Sequence, residues 1–418
     1  MSKRLPVARG LLTIDSIFHF ACTAGFLCFV ACLTSGTLAC PFCSAVKPTL
    51  SQQRDAATAV FLGECTAVDA KHQPPQATFS VRKWIKGTAP AGGGDTITVS
   101  LADEIKPGTL AIVLGSEAIS NEATGKETAS GEAKRATAQA SEKLRWQSVP
   151  LTELGFAYAA RLPEARVPPA ERLAFFARFL ESSDPLVADD AFLEFGYVPY
   201  DLAAPAVKKL PADKLRGWIA DPKTPPERKG FYGLALGLTA AGAERAANLE
   251  LIRQLAKPNP TAGADFRAGF DGVLGGLLVA LGPEAVKYIQ DYYLADTSAA
   301  IGDVRQAHRA LRFYFEFGPS ADRPAVAAAV EQLLARPSEA ALAITDLARW
   351  KDWVCLARVA DLYTDKNYAD PADRTAVVGY LTACPNAQAA AALAHLKEID
   401  PAGVAKAQQT LKALGGKQ

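Results

Sequence analysis

The sequence predicts an α+β chain of more than one domain, a small β-barrel followed by an all-α array of repeated helices. Three observations carry this prediction. Between residues 40 and 165 the apolar residues come in short alternating runs punctuated by glycine, the signature of half-buried strands. From Pro168 to Leu414 they recur at helical spacing, with no convincing strand among them. The chain has 418 residues and is 49% apolar, enough to bury two cores or one extended array.

Taken in order, residues 60–68 and 109–114 are apolar on both faces, as strands central to a small barrel would be. Residues 78–85 place Phe79, Val81 and Ile85 opposite Thr78, Ser80 and Arg82. Residues 95–101 place Ile97, Val99 and Leu101 opposite Thr96, Thr98 and Ser100. Gly87 and the run Gly92-Gly93-Gly94 punctuate between these two strands. Residues 116–143 hold a single large aliphatic residue, Ile119, and are expected to form a disordered or loosely helical insertion. Leu144-Arg145-Trp146 reads as the closing strand, and residues 152–162 as a short helix leading out. Four or five short strands closed by turns suggest an OB-like barrel over a sandwich.

In the helical part, Leu173, Phe176, Ala177 and Leu180 share one face, as do Ala188, Ala191, Phe192 and Phe195. Asp-Pro pairs at Asp184, Asp221, Asp370 and Asp400 mark expected helix starts, since Asp caps free amides and Pro suits the first helical position. The unit length, roughly 30–45 residues, is that of paired-helix repeats, and a solenoid is favoured over an irregular bundle. Gly272, Gly275 and Gly276 fall inside a predicted helix, where each costs about 1 kcal/mol against Ala; close helix packing is the expected reason, backbone approach to a ligand the alternative.

Residues 1–39 read as a secretory signal. Lys3, Arg4 and Arg9 precede an uncharged apolar run over residues 20–33, and Thr37-Leu38-Ala39 suits cleavage before Cys40. Retention as an N-terminal anchor is the second reading, because the uncharged stretch approaches bilayer length. Lipidation of Cys40 is a third, although Thr37 stands where a large aliphatic residue is expected. Each reading exports the bulk of the chain to the periplasm, the cell envelope or beyond, with membrane attachment only through the N-terminal segment or a lipid on Cys40. The net charge is +1, and −1 once residues 1–39 are removed, so no nucleic-acid partner is expected. Of eight cysteines, Cys22, Cys28 and Cys32 leave with the signal. Cys40, Cys43, Cys65, Cys355 and Cys384 remain, an odd number in a compartment where thiols tend to pair.

Two resemblances enter here. Asp184-Pro-Leu-Val-Ala-Asp-Asp-Ala191 resembles the opening of the second helix of a HEAT repeat, which makes the expected array a HEAT-like solenoid. The β part resembles the tissue-inhibitor-of-metalloproteinases and netrin-like domains. It does so through Cys40-Pro-Phe-Cys43, Val60-Phe-Leu-Gly63, Phe79-Ser-Val-Arg-Lys-Trp-Ile-Lys-Gly87 and Gly108-Thr-Leu-Ala-Ile-Val-Leu114, about a quarter of the chain. That resemblance implies an OB-like barrel whose terminal Cys chelates a protease's zinc. The chain departs from it in having Cys-x-x-Cys for the inhibitors' Cys-x-Cys and in lacking their full set of disulfide partners. The whole chain also resembles a group of exported bacterial proteins without an assigned activity.

The candidate sites follow. Cys40 and Cys43 have the spacing of a thioredoxin-like pair but lack its βαβ setting; a structural tie from one of them to Cys65 is the plainer reading. Cys355 and Cys384 on predicted helices are buried thiols or a helix–helix disulfide, both open. In Arg349-Trp350-Lys351-Asp352-Trp353 the two Trp, three apart, share one expected helical face. Trp with Arg is the composition of a binding hot spot, while core filling with Arg349 over an indole is the competing reading. The Arg312–Phe317 aromatic run and Tyr288, Tyr292 and Tyr293 read as core. Asp189-Asp190 is weighed as a metal pair against solvent-facing carboxylates. No metalloprotease, P-loop, esterase or EF-hand spacing occurs, and no catalytic residue, cofactor or metal is assigned. The expected function is a non-catalytic exported binding or scaffold protein that offers a helical-repeat surface to a protein or polymer partner of the cell envelope. A thiol–disulfide oxidoreductase using Cys40 and Cys43 is the alternative, and a metalloprotease-inhibitor-like module a third.

Overall fold

A computed structural model describes residues 47–87, 95–101, 103–117, 144–239, 242–258 and 267–415. The expected signal, Cys40, Cys43 and all but the first two residues of the expected insertion lie outside them. Five strands form one antiparallel sheet: β1 (Ala59–Asp69), β2 (Gln76–Lys86), β3 (Thr96–Ser100), β4 (Leu110–Glu117) and β5 (Leu144–Leu151). Their order is β3-β2-β1-β4-β5. The sheet curls, and one isolated parallel bridge, Leu101 to Trp146, joins its two edges. Inside the curl Phe61 meets Phe79 edge-on at 5.6 Å and Trp146 at 5.9 Å, with Cys65, Val99 and Val113 around them. Gly115 lies under Trp146, where an added Cβ would stand 2.8 Å from the indole, so only glycine lets the ring down onto β4.

The double-sided apolar pattern of β1 and β4 has a direct cause. Phe61, Cys65, Ala111 and Val113 face the inside of the curl. Val60, Leu62, Ile112 and Leu114 point the other way and are buried all the same, on a sheet that packs against α1 (Leu50–Ala56) and α2 (Glu153–Ala159). The first of these helices falls where β structure is expected. Thr49 caps it and Gln52 returns the bond to the Thr49 amide, a complete capping box that Thr-x-x-Gln spells in the sequence.

The remaining helices are α3 (Pro169–Phe176), α4 (Pro185–Gly196), α5 (Tyr200–Val207), α6 (Ala212–Ala220), α7 (Pro226–Leu238), α8 (Arg245–Leu255), α9 (Phe270–Leu281), α10 (Pro283–Ile289), α11 (Ile301–Phe317) and α12 (Arg323–Val330), then α13 (Pro337–Trp350), α14 (Leu356–Leu362), α15 (Pro371–Ala383), α16 (Ala387–Ile399) and α17 (Pro401–Ala413). The sheet and the helices to Val330 make one compact unit; residues from Glu331 on make a second. Within the first unit α3 packs on α5, α5 on α7, α7 on α9 and α9 on α11. Within the second, α13 packs on α15 and α15 on α17.

Asp184, Asp370 and Asp400 cap helices as expected, each carboxylate accepting backbone N–H groups of the first turn. Asp221 does not. It closes α6, and its carboxylate accepts the Lys223 amide in a turn. A helix begun at Pro222 would carry Pro225 and Pro226 in its interior, so α7 starts at Pro226 instead. Gly272 and Gly276 of α9 pack against the glycines of α7: a Cβ on Gly233 would stand 2.8 Å from the Val273 Cα, and one on Gly276 would strike the Gly233 carbonyl oxygen. Tyr293 is buried, but Tyr292, expected in the core, is 51% exposed because a π-helical turn over Gln290–Leu294 shifts the register beneath it.

Candidate functional site

The Arg349–Trp353 stretch is the end of a helix. α13 stops at Lys351, which adopts the left-handed conformation at φ 59°. The Lys351 amide donates to the Ala348 carbonyl at 3.1 Å and the Asp352 amide to the Leu347 carbonyl at 2.9 Å. These are the two bonds of a Schellman stop, built here without the usual glycine. Trp350 and Trp353 therefore do not share one helical face, which corrects the expectation from their spacing. Trp350 ends the helix half-buried. Trp353 lies beyond the turn, half-buried, its indole edge-on to the Tyr380 ring of α15 at 4.9 Å. The Tyr380 hydroxyl donates to the Asp352 carbonyl at 2.8 Å and pins the turn. Arg349 is exposed, and its guanidinium reaches the buried Asp346 carboxylate at 3.4 Å. Val354, next along, is 84% exposed. The result is a rigid surface turn carrying a cation, two partly covered indoles and a bare aliphatic side chain, the composition of a hot spot.

Cys65, Cys355 and Cys384 are buried and unbridged among the described residues, and the expected tie from Cys40 or Cys43 to Cys65 lies outside them. No bridge joins Cys355 to Cys384, and Cys65 has no disulfide partner among the described residues. Burial pushes the Cys65 thiol up. It pushes Cys355 up to about 11, with the Glu331 charge adding to the effect; the Cys355 Sγ sits 3.9 Å from the Tyr380 hydroxyl. Thiols held protonated in this way are poor nucleophiles. Among the described residues no three His, Cys, Asp or Glu side chains gather as a metal site would require. Asp189 and Asp190 part company: Asp189 pairs with Arg228 at 3.4 Å, while Asp190 turns inward.

The inward carboxylates are what the sequence reading missed. Asp190 and Glu194, one turn apart on α4, are 6% and 2% exposed. Asp190 accepts the Leu50 amide at 2.7 Å and the Tyr158 hydroxyl at 2.6 Å. Glu194 accepts the Ser51 hydroxyl and pairs with Arg172 of α3 at 3.0 Å. Burial raises Asp190 to about 6, against the pull of the bonds from Tyr158 and Leu50, and sends the Tyr158 phenol far above its ordinary range. The cluster fastens the start of α1 to the helices α2, α3 and α4. The available signal was two acids at i and i+4 on the stripe of α4 that also carries Val187, Ala191 and Phe195.

Comparison of the chain with models of known families, with curated proteins and with solved structures found no match. The functional argument therefore rests on the chain's own residues.

Proposed function

We propose that the chain is a non-catalytic exported binding or scaffold protein, an OB-like barrel followed by HEAT-like solenoid helices whose surface takes a protein or polymer of the cell envelope. The barrel reading is supported by the strand order and by the parallel Leu101–Trp146 bridge between the sheet's edges. The solenoid reading is supported within each unit by helices that pack on the next but one, the arrangement of stacked helix pairs. The observation that carries the binding reading is the pinned turn at Lys351, which holds Arg349, Trp353 and Val354 at the surface of the second unit. An exposed valine beside aromatic rings and a cation supports the reading through its composition, Trp with Arg around an apolar side chain.

The test is capture from solubilised cell envelope by residues 40–418, beside the same chain carrying V354D. Val354 is 84% exposed, so the variant should melt with the wild type. A partner held by the wild type and lost by the variant supports the reading. Equal retention by both removes the turn from the interface.

A further inference from the structure

A cleft of about 680 Å³ opens between the end of β2 and the segment that follows α2. Five basic and two acidic side chains line it, in a chain whose overall charge is only +1. Both acids are already engaged. Arg54, itself 5% exposed, takes the Asp55 carboxylate at 2.7 Å and spends its other N–H groups on the Leu162 and Pro163 carbonyls at 2.9 and 2.8 Å. Glu164 is taken by Arg166 at 2.7 Å.

Three cations have no counter-charge among the described residues. The Lys83 ammonium donates to the Ala160 carbonyl at 2.8 Å and that of Lys86 to the Asp55 carbonyl at 2.7 Å. Both acceptors are neutral, and each ammonium keeps two further N–H groups. These bonds anchor the two flexible side chains across the cleft, so part of the ordering cost of binding is met before a ligand arrives. Arg161 is exposed and pairs with no carboxylate among the described residues. Between the cations the lining is apolar: Ile85 and Ala160 are half-buried beside Leu162 and Ala165, while the Trp84 indole turns to the inside of the curl against Phe61 at 5.2 Å.

We propose that this cleft binds an acidic peptide segment of a partner protein, one that carries an apolar side chain between its carboxylates. Positive charges around the rim select the carboxylates, and the apolar lining of Ile85, Ala160 and Leu162 receives the apolar side chain between them. A small inorganic anion would satisfy the cations and leave that lining wet. The volume lies within the range of ligand sites and suits a few residues rather than a folded domain. The site is independent of the Lys351 turn and stands or falls separately from it.

The experiment is fluorescence anisotropy with residues 40–418 and a labelled peptide of alternating Glu and Leu, beside its Gln–Leu counterpart, inorganic tripolyphosphate and vesicles of phosphatidylglycerol. The Glu–Leu peptide should bind at least tenfold more tightly than the Gln–Leu peptide, and added salt should weaken it. R161E should cost tenfold or more in affinity with melting unchanged, since that side chain holds nothing in place. K86Q, which keeps a donor for the Asp55 carbonyl, should cost a smaller factor in the same direction. No binding of the Glu–Leu peptide, equal binding of the two peptides, or equal binding by wild type and R161E overturns the proposal. So does tighter binding of tripolyphosphate or of the vesicles, which would assign the cations to phosphate or to a membrane.

Discussion

Asp190 shows how a single residue ties distant segments of the chain together at an energetic cost. Its carboxyl lies in the interior, where removal from water outweighs the two hydrogen bonds and the distant Lys47 charge that favour ionisation, and Glu194 adds repulsion. Its folded value, about 6, stands above the ordinary 3.8, so the folded chain binds this proton more tightly than the unfolded chain does. The contribution is complete below about pH 4 and is lost as pH rises through 6, a loss of about 3 kcal/mol by pH 8. Urea unfolding of wild type and D190N at pH 5 and pH 8 isolates it. The wild type should lose about 1.4 kcal/mol more than the variant across that interval, the rest of the loss having occurred below pH 5. Parallel pH profiles would mean that Asp190 is not desolvated and that α1 is held by other means. The cluster was illegible in the sequence because its members, Ser51, Tyr158, Arg172, Asp190 and Glu194, are spread over 143 residues. Only the i, i+4 acids on an apolar stripe hinted at it.

Two helix features distinguish what sequence spacing carries from what it leaves out. The glycines of α9 were legible as a close-packing surface, because nothing else offsets their cost in a helix. Their partner glycines on α7 were not, since the spacing within one helix says nothing about its neighbour. G276A should destabilise the protein by about 3 kcal/mol, the upper range of overpacking, because the added methyl meets backbone and not a movable side chain. Thermal unfolding measures it, and a change under about 1 kcal/mol would deny the close approach. The stop at Lys351 was illegible for the opposite reason. A left-handed cap normally announces itself with glycine, and here a lysine sits at φ 59°, so the helical spacing of Trp350 and Trp353 ran straight through the turn. K351G should therefore stabilise the chain by about 1 kcal/mol, seen as a higher unfolding midpoint. An unchanged or lower midpoint would mean that the lysine side chain does more than tolerate the turn.

At the scale of the whole chain, the switch of apolar period from two to helical was the strongest signal, and the five strands and helices α2, α3 and α4 fall where it puts them. Residues 60–68 and 109–114 also carried more than strand identity. Apolar on both sides, they require something against the outer face of the sheet, and α1 and α2 pack there. The sheet and the helices through Val330 form one compact unit, so the expected boundary near residue 165 is crossed by the Ser51–Glu194 and Leu50–Asp190 bonds. The division at 330/331 has no mark in composition, because helices of the same kind stand on both sides of it. The candidate sites were legible only as residue types. Arg349, Trp350 and Trp353 are near one another in sequence, and the chain needed its Schellman stop to make them a surface turn.

The central claim, that this turn is a binding surface, is tested most directly by photocrosslinking. A benzophenone amino acid placed at position 354 and, as a control, at the exposed position 292 reports what touches each side chain in intact cells. A discrete adduct at 354 that is absent at 292 and weakens with R349Q, which keeps a donor for the buried Asp346 carboxylate, is the predicted result. No adduct at 354, or the same adducts at both positions, would contradict the account.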